Sequence, residues 1–251
     1  MSRKERTEAG AQVDWEAYAE NYDTLKSLKP YQALMRDVAE EAIRRDGTRL
    51  LDAGCGTGNL VTHLHASKAL SITGIDSSPT MLARACAKHP ETEFIHADLD
   101  SALPFDDDAF DTVVCVNALY AVPRPAHTLA EFRRVLRQDG SLIVATPKRG
   151  YENGLILKAH CSSEKPDAYW LGVHTSPERE EALVREAIPD EELVKAMLSI
   201  AEVNRHIARN TQFHFFTEAA LREVVCDAWF CIERMSETYA DQSHLIVATA
   251  S

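Results

Sequence analysis

The sequence predicts an α/β protein: a doubly wound, mostly parallel seven-stranded sheet whose last strands form an antiparallel edge, with a mostly helical insertion after strand 5. Three observations carry that prediction. Apolar runs alternate with helical patterns five times between residues 49 and 146, a Gly-rich turn follows the first run, and two further strand-like runs close the chain as a hairpin-like pair. The chain has 251 residues, 45% apolar and 26% charged. A chain of this size buries roughly 70–75% of its unfolded surface, so one α/β domain with an embellishment needs no covalent staples.

Residues 12–45 read as helical. Trp15, Tyr18 and Tyr22 recur at three- and four-residue steps, Pro30 starts a second run through Ile43, and Asp46-Gly47 stops it. Residues 49–53 form the first strand, followed by the turn and a helix over 59–67. The second strand is 71–76, and Ser78-Pro79 opens a helix to about Lys88, with proline near a first-turn position. Residues 93–98 are the third strand. Residues 110–117 are the fourth, and their central apolar run suits a strand buried on both faces. A helix over 126–137, ended by Asp139-Gly140, leads to a fifth strand at 141–146. From Gly150 to about Asn210 there are three prolines (Pro166, Pro177 and Pro189), no clear strands, and a helical stripe through Leu193, Met197, Ile200 and Ile207. Thr217 caps a helix to Ala228, and strands at 230–234 and 244–249 follow.

Composition narrows the function. Lys and Arg total 27 against 39 Asp and Glu, a net charge of −12. An acidic surface repels phosphate backbones, whose affinity comes from cationic side chains displacing counterions, so nucleic acid is not an expected partner. No apolar run reaches the roughly 18 residues of a membrane span, and residues 1–8 are polar, so the expectation is a cytoplasmic chain without membrane attachment. The six cysteines contain no CxxC pair, and several sit in apolar runs, which predicts reduced thiols and no metal site.

The strongest local signal is Leu50-Leu-Asp-Ala-Gly-Cys-Gly-Thr-Gly-Asn59, a strand running through a glycine turn into a helix. Such a turn lets a ligand approach the backbone closely, and the helix start behind it offers unpaired N–H groups. Asp76 lies 18 residues beyond Gly58 at the end of the second strand, where an acid can accept both ribose hydroxyls of an adenosine; it is equally placed to cap the next helix. Asp98 ends the third strand and Asn117 the fourth. Four consecutive strands thus present a glycine turn, two acids and an amide along one edge, where open parallel sheets bind ligands. The spacing is GxGxG, with Asn59 where a nicotinamide-dinucleotide turn carries its third glycine, which argues against hydride transfer.

These segments, with Gly74-Ile-Asp-Ser-Ser-Pro-Thr-Met-Leu82, residues 97–99, Leu103-Pro-Phe-Asp-Asp-Asp-Ala-Phe-Asp111 and Glu131-Phe-Arg-Arg-Val-Leu-Arg-Gln-Asp-Gly140, resemble class I S-adenosylmethionine-dependent methyltransferases, within the group similar to ubiquinone/menaquinone-biosynthesis enzymes. The resemblance covers residues 12–147 in detail and implies a Rossmann-like fold with S-adenosyl-L-methionine as cofactor. Carried over by position, it implies that the Gly54–Gly58 backbone cradles the methionine part, with Asp52 near its amino group and Ala53, Gly54, Cys55 and Gly56 among the cofactor-binding residues. Asp76 grips the ribose, and Ser77 and Met81 flank the adenine. Ala97, Asp98 and Leu99 meet the adenine, Asp98 through its amine. Asn117 offers its carbonyl near the sulfonium, and Ala118 and Leu119 line the transfer site. Tyr22 either closes over the cofactor or belongs to the core.

The implied organisation is N-terminal helices over the cofactor site (1–46), a cofactor-binding core (47–149), a helical insertion acting as acceptor lid (150–210), and a C-terminal helix with two strands (211–251). The expected activity is methyl transfer to a small-molecule acceptor by a monomer or homodimer. Methylation of a protein or tRNA and a non-catalytic cofactor-binding role are the alternatives. The run Asn117-Ala-Leu-Tyr120 departs from the Asp/Asn-Pro-Pro-aromatic pattern of enzymes that methylate base amines, and residues 151–209 carry 11 acidic against 7 basic residues. No catalytic residue is assigned. His174, His206 and His214 lie in or beside the insertion, Cys55 and Cys161 are the thiols a cysteine relay would use, and Trp170, Phe213, Phe215 and Phe216 suit either an apolar pocket or lid packing.

Overall fold

The computed structural model describes residues 15–65, 70–152, 190–209 and 213–251, with short pieces at 155–156, 159–160, 178, 181–182, 184–185 and 188. Helix α1 (Trp15–Tyr22) leads through a 3-10 turn (Asp23–Ser27) into α2 (Lys29–Ile43), where Pro30 sits in the first turn. The alternation then runs β1 (Arg49–Ala53), α3 (Asn59–Leu64), β2 (Ser71–Asp76), α4 (Pro79–Lys88), β3 (Glu93–His96), β4 (Phe110–Val116), α5 (Pro125–Val135) and β5 (Leu136–Pro147). Helix α6 (Glu191–Arg209) is the described end of the insertion, and α7 (Glu218–Asp227), β6 (Phe230–Thr238) and β7 (Ser243–Ala250) complete the chain.

The seven strands form one sheet in the order β3-β2-β1-β4-β5-β7-β6. β1 to β5 are mutually parallel; β7 runs antiparallel to both β5 and β6, giving the expected antiparallel edge. Every residue of β4 is buried, Asp111 and Thr112 included, as its central apolar run predicted. α1, α2, α3 and α6 share one apolar core with one sheet face, and α5 and α7 share another with the opposite face. Order reverses between β1 and β4, so the connections leaving their carboxyl ends part there and leave a crevice beyond the strand ends.

Three boundaries differ from the sequence reading. α5 stops at Val135 and the chain is already extended at Leu136, which pairs with Phe110; residues 137–140 then loop out of the ladder before Ser141 rejoins opposite Thr112. Asp139-Gly140 is therefore a bulge within β5 and not a helix stop. A helix end is set here by a pairing partner 26 residues away, which a local pattern does not report. β3 ends at His96, leaving Ala97 and Asp98 in the following turn. α3 ends at Leu64, and residues 66–67 of the longer helix expected there lie outside the described residues. The cap of α7 is as expected: Thr217 Oγ1 accepts from Ala220 N at 3.2 Å.

Candidate functional site

The crevice opens into a cavity of about 1220 Å³ over the carboxyl ends of the strands. Pockets for one small ligand span roughly 300–1,000 Å³, so this space lies just above that range. Its walls bring together Tyr22, Gly54, Gly56, Asp76, Ser77, Met81, Asp98, Leu99, Asn117 and Ala118 from the sequence reading. Asp52, Ala53, Cys55, Ala97 and Leu119 do not reach its surface. Leu119 and Ala53 are fully buried in the apolar core, and Cys55 stands behind the turn, where burial pushes its thiol well above the usual range.

The glycine turn is tight for a reason visible in its neighbours. Gly54 has φ +76°, and a Cβ on it would stand 2.4 Å from the Ala118 Cβ, so the ends of β1 and β4 meet there without room for a side chain. Gly56, at φ +53°, faces the Tyr22 ring, whose Cε1 would lie 3.4 Å from an added Cβ. Four amides of the turn itself are already engaged: Gly54 N and Cys55 N both donate to Ile75 O, Gly58 N to Cys55 O, and Gly56 N to Asp76 Oδ2 at 2.8 Å. The turn thus offers a ligand shape and close backbone approach.

Asp76 links the glycine turn to the start of α4 and also lines the cavity. Besides Gly56 N, it accepts from Ser78 N at 2.9 Å, joining the turn to the start of α4, while its carboxyl still lines the cavity. Burial raises its pKa, partly offset by those backbone donors. Below it lies Asp52, 2% exposed, with Oδ2 lacking a hydrogen-bond partner. Burial, together with the Asp76 charge, pushes its pKa up to about 7. Asn117 adopts φ +51°, donates its N–H to Ala145 O, and buries an Oδ1 without a partner.

Of the remaining walls, Phe213 and Phe215 were pocket candidates in the sequence and most of the others were not anticipated. Trp15, Glu16 and Tyr18 of α1 face the cavity, so the aromatic stripe that signalled a helix is also a site wall. Tyr120, Tyr151, Phe213 and Phe215 form a stacked group, with ring centroids 5.5–5.6 Å apart. Asn204 of α6, Tyr239 and Ser243 complete that side. Nothing local in the sequence marks Tyr239 or Ser243; the β6–β7 hairpin brings them there. His214 lines the cavity and its Nε2 lies 3.2 Å from Pro123 O, while Phe216 packs into the core on the α5–α7 side. The His206 side chain, Cys161, Trp170 and His174 lie outside the described residues.

Residues 51–144 match the family model of the methyltransferase domain. The chain carries a class I S-adenosylmethionine-dependent methyltransferase domain. Its sequence is similar to the demethylmenaquinone methyltransferase of Clavibacter sepedonicus, 39% identical over 124 residues, which cover 45% of this chain and 49% of the relative. It is also similar to the phthiotriol/phenolphthiotriol dimycocerosates methyltransferase of Mycobacterium leprae, 35% identical over 106 residues covering 41% and 39%. The chain spans less than half the length of either curated relative. Among solved structures, a SAM-dependent methyltransferase from Aquifex aeolicus superposes with a TM-score of 0.59 at 15% identity, over 94% of this chain and 98% of that one, a likeness of fold. The methyltransferase domain thus has the Rossmann-like sheet that the alternation predicted. Among the described residues no helix is long and apolar enough to cross a membrane.

The residues present fit the cofactor of this domain class. The Gly54 and Gly56 positions form a cradle that a side chain would fill, Asp76 and Asp98 project carboxyls into the same cavity, and Asp52 Oδ2 and Asn117 Oδ1 are buried acceptors without partners.

Proposed function

We propose that the chain transfers the methyl group of S-adenosylmethionine to a small-molecule acceptor. One observation carries this reading: the Asp76 carboxyl, fixed by Gly56 N and Ser78 N, faces a cavity of about 1220 Å³ beside the glycine turn. In this reading Asp76 accepts the ribose hydroxyls and Asp98 the adenine amine, with Met81, Ser77 and Leu99 against the ring. The ionised Asp52 stabilises the amino group of the methionine part from behind the turn.

When bound, S-adenosylmethionine supplies both the methyl group and the sulfur leaving group, so the protein needs no nucleophile of its own. What the chain contributes is alignment and exclusion of water. Holding acceptor, methyl and sulfur in line is worth up to roughly 7–11 kcal/mol of barrier in well-oriented cases. Asn117, held in a left-handed conformation by its bond to Ala145, fixes the backbone at the transfer point. α1 and the aromatic group around Tyr120 enclose the space between the cofactor walls and the second half of the cavity. The insertion, whose Asn204 lines that half, acts as the acceptor lid in this proposal. The acidic net charge supports a small acceptor over a nucleic acid.

Incubation of the purified chain with methyl-labelled cofactor and a metabolite extract tests the reading. A labelled small product supports it. A labelled protein or tRNA moves the acceptor to a macromolecule, and cofactor uptake without any product leaves a binding protein.

A further inference from the structure

α1 crosses the cavity mouth as a strap, and both of its ends are fastened to α4. At the start, Ser78 Oγ, the N-cap of α4, donates to Glu16 Oε1 at 2.6 Å. At the end, Lys88, the last residue of α4, donates from Nζ to Asp23 Oδ1 and Oδ2 at 2.8 and 3.1 Å, to Thr57 Oγ1 at 2.8 Å and to Asn59 Oδ1 at 3.0 Å. Thr57 Oγ1 in turn donates to Asp23 Oδ1 at 2.6 Å. Thr57 is fully buried and Asn59 nearly so, and these two residues flank Gly58 in the glycine turn. Asp23 directly follows Tyr22, whose ring lies over Gly56. One ammonium therefore ties together the strap, the glycine turn and the carboxyl end of α4.

Resting on the methyltransferase reading above, we propose that Lys88 is a positioning residue for the cofactor: through Asp23 and Thr57 it fastens the Tyr22 end of the strap across the glycine turn, and cofactor exchange requires that fastening to release. Lys88 touches no part of the cavity wall, so its effect passes through Asp23 and the Tyr22 ring. The pair is worth more than a surface ion pair because the Lys88 side chain is only 23% exposed and its hydrogens meet three partners that are themselves partly or wholly buried. Removing the ammonium leaves the Asp23 carboxylate only the longer, more exposed ion pair with Lys26 at 3.5 Å and takes the cation from the Asn59 carbonyl, which favours an opened strap.

Stopped-flow release of S-adenosylhomocysteine, followed by tryptophan fluorescence with Trp15 in the cavity wall as reporter, tests this directly. Lys88→Met is expected to release the probe at least tenfold faster than the unaltered chain and to raise the KM for cofactor with kcat retained, and Lys88→Arg to restore most of the loss. Amide exchange of residues 18–27 in the ligand-free protein is expected to quicken at least tenfold in Lys88→Met. A purely structural lysine would lower thermal stability without changing the release rate. Release and exchange both within twofold of the unaltered chain overturn the proposal; should Lys88→Met not fold, Asp23→Asn carries the same expectations. Failure of the unaltered chain to take up S-adenosylhomocysteine overturns the methyltransferase reading and the cofactor role given to Lys88, whereas the exchange experiment, which needs no ligand, judges the fastening by itself.

Discussion

Asp52 makes the stability of this protein depend on pH in an unusual direction. Its carboxyl is 2% exposed, one oxygen has no hydrogen-bond partner, and burial with the Asp76 charge raises its pKa from 3.8 to about 7. In the unfolded chain the same carboxyl ionises near its ordinary value. Between the two values the folded state holds a proton that the unfolded state has released, so stability is full below about 4 and falls as pH rises through 7. Each pH unit in that window costs about 1.4 kcal/mol, which amounts to about 4 kcal/mol by pH 8. Asp52→Asn removes the ionisation while keeping the shape. Urea unfolding of both proteins between pH 4.5 and 8.5 should show the variant gaining on the unaltered chain progressively, to about 4 kcal/mol at the alkaline end. The cofactor's amino group would favour the ionised form, so uptake of S-adenosylhomocysteine at pH 6.5 should expel a proton. That proton is measurable by calorimetry in buffers of different ionisation enthalpy, and it should be absent in Asp52→Asn. A stability difference that does not change with pH would refute the reasoning, because a pH-independent gain has no source in a titrating carboxyl.

Asp76→Asn should weaken S-adenosylhomocysteine binding at least tenfold by calorimetry with circular dichroism unchanged, since charge-assisted hydrogen bonds are worth about 1.5–3 kcal/mol each. Gly54→Ala should cost about 2–4 kcal/mol in thermal unfolding, through overpacking against the Ala118 Cβ at 2.4 Å and a left-handed φ that side chains resist. Asp111 accepts from Thr48 N, Arg49 N, Arg49 Nη2 and Arg137 Nε at 2.9–3.1 Å. Burial alone would raise its pKa, but Arg49 and the two backbone donors hold it well below the usual carboxylate range. Its contribution is therefore present above pH 4 and lost as pH falls further, so Asp111→Asn should cost about 2–3 kcal/mol at pH 7 and progressively less in acid, read by urea unfolding.

Much of the sheet was legible because its signals are local. β4 has a central apolar run, Val113–Val116, β2 and α4 meet at Ser78-Pro79, and the glycine turn joins β1 to α3 with spacing that separates it from a dinucleotide turn. The errors fall where a distant partner decides. Leu136 is extended because it pairs with Phe110, a strand residue 26 positions away.

The order of polar and apolar residues along the chain thus determined the fold class and the sheet edge at which the cavity opens, since strand alternation, helix periodicity and glycine turns act over a few residues. Tertiary structure alone decided which aromatic rings enclose the second half of the cavity and which lysine ties α1 to the turn. Tyr239, Asn204 and Tyr120 meet around one space although each is separated from the next by at least 35 positions, and Lys88 reaches Asp23 across 65. Contacts of that span are set by how whole elements pack, and burial then assigns Asp52 and Lys88 properties that their residue types do not carry by themselves.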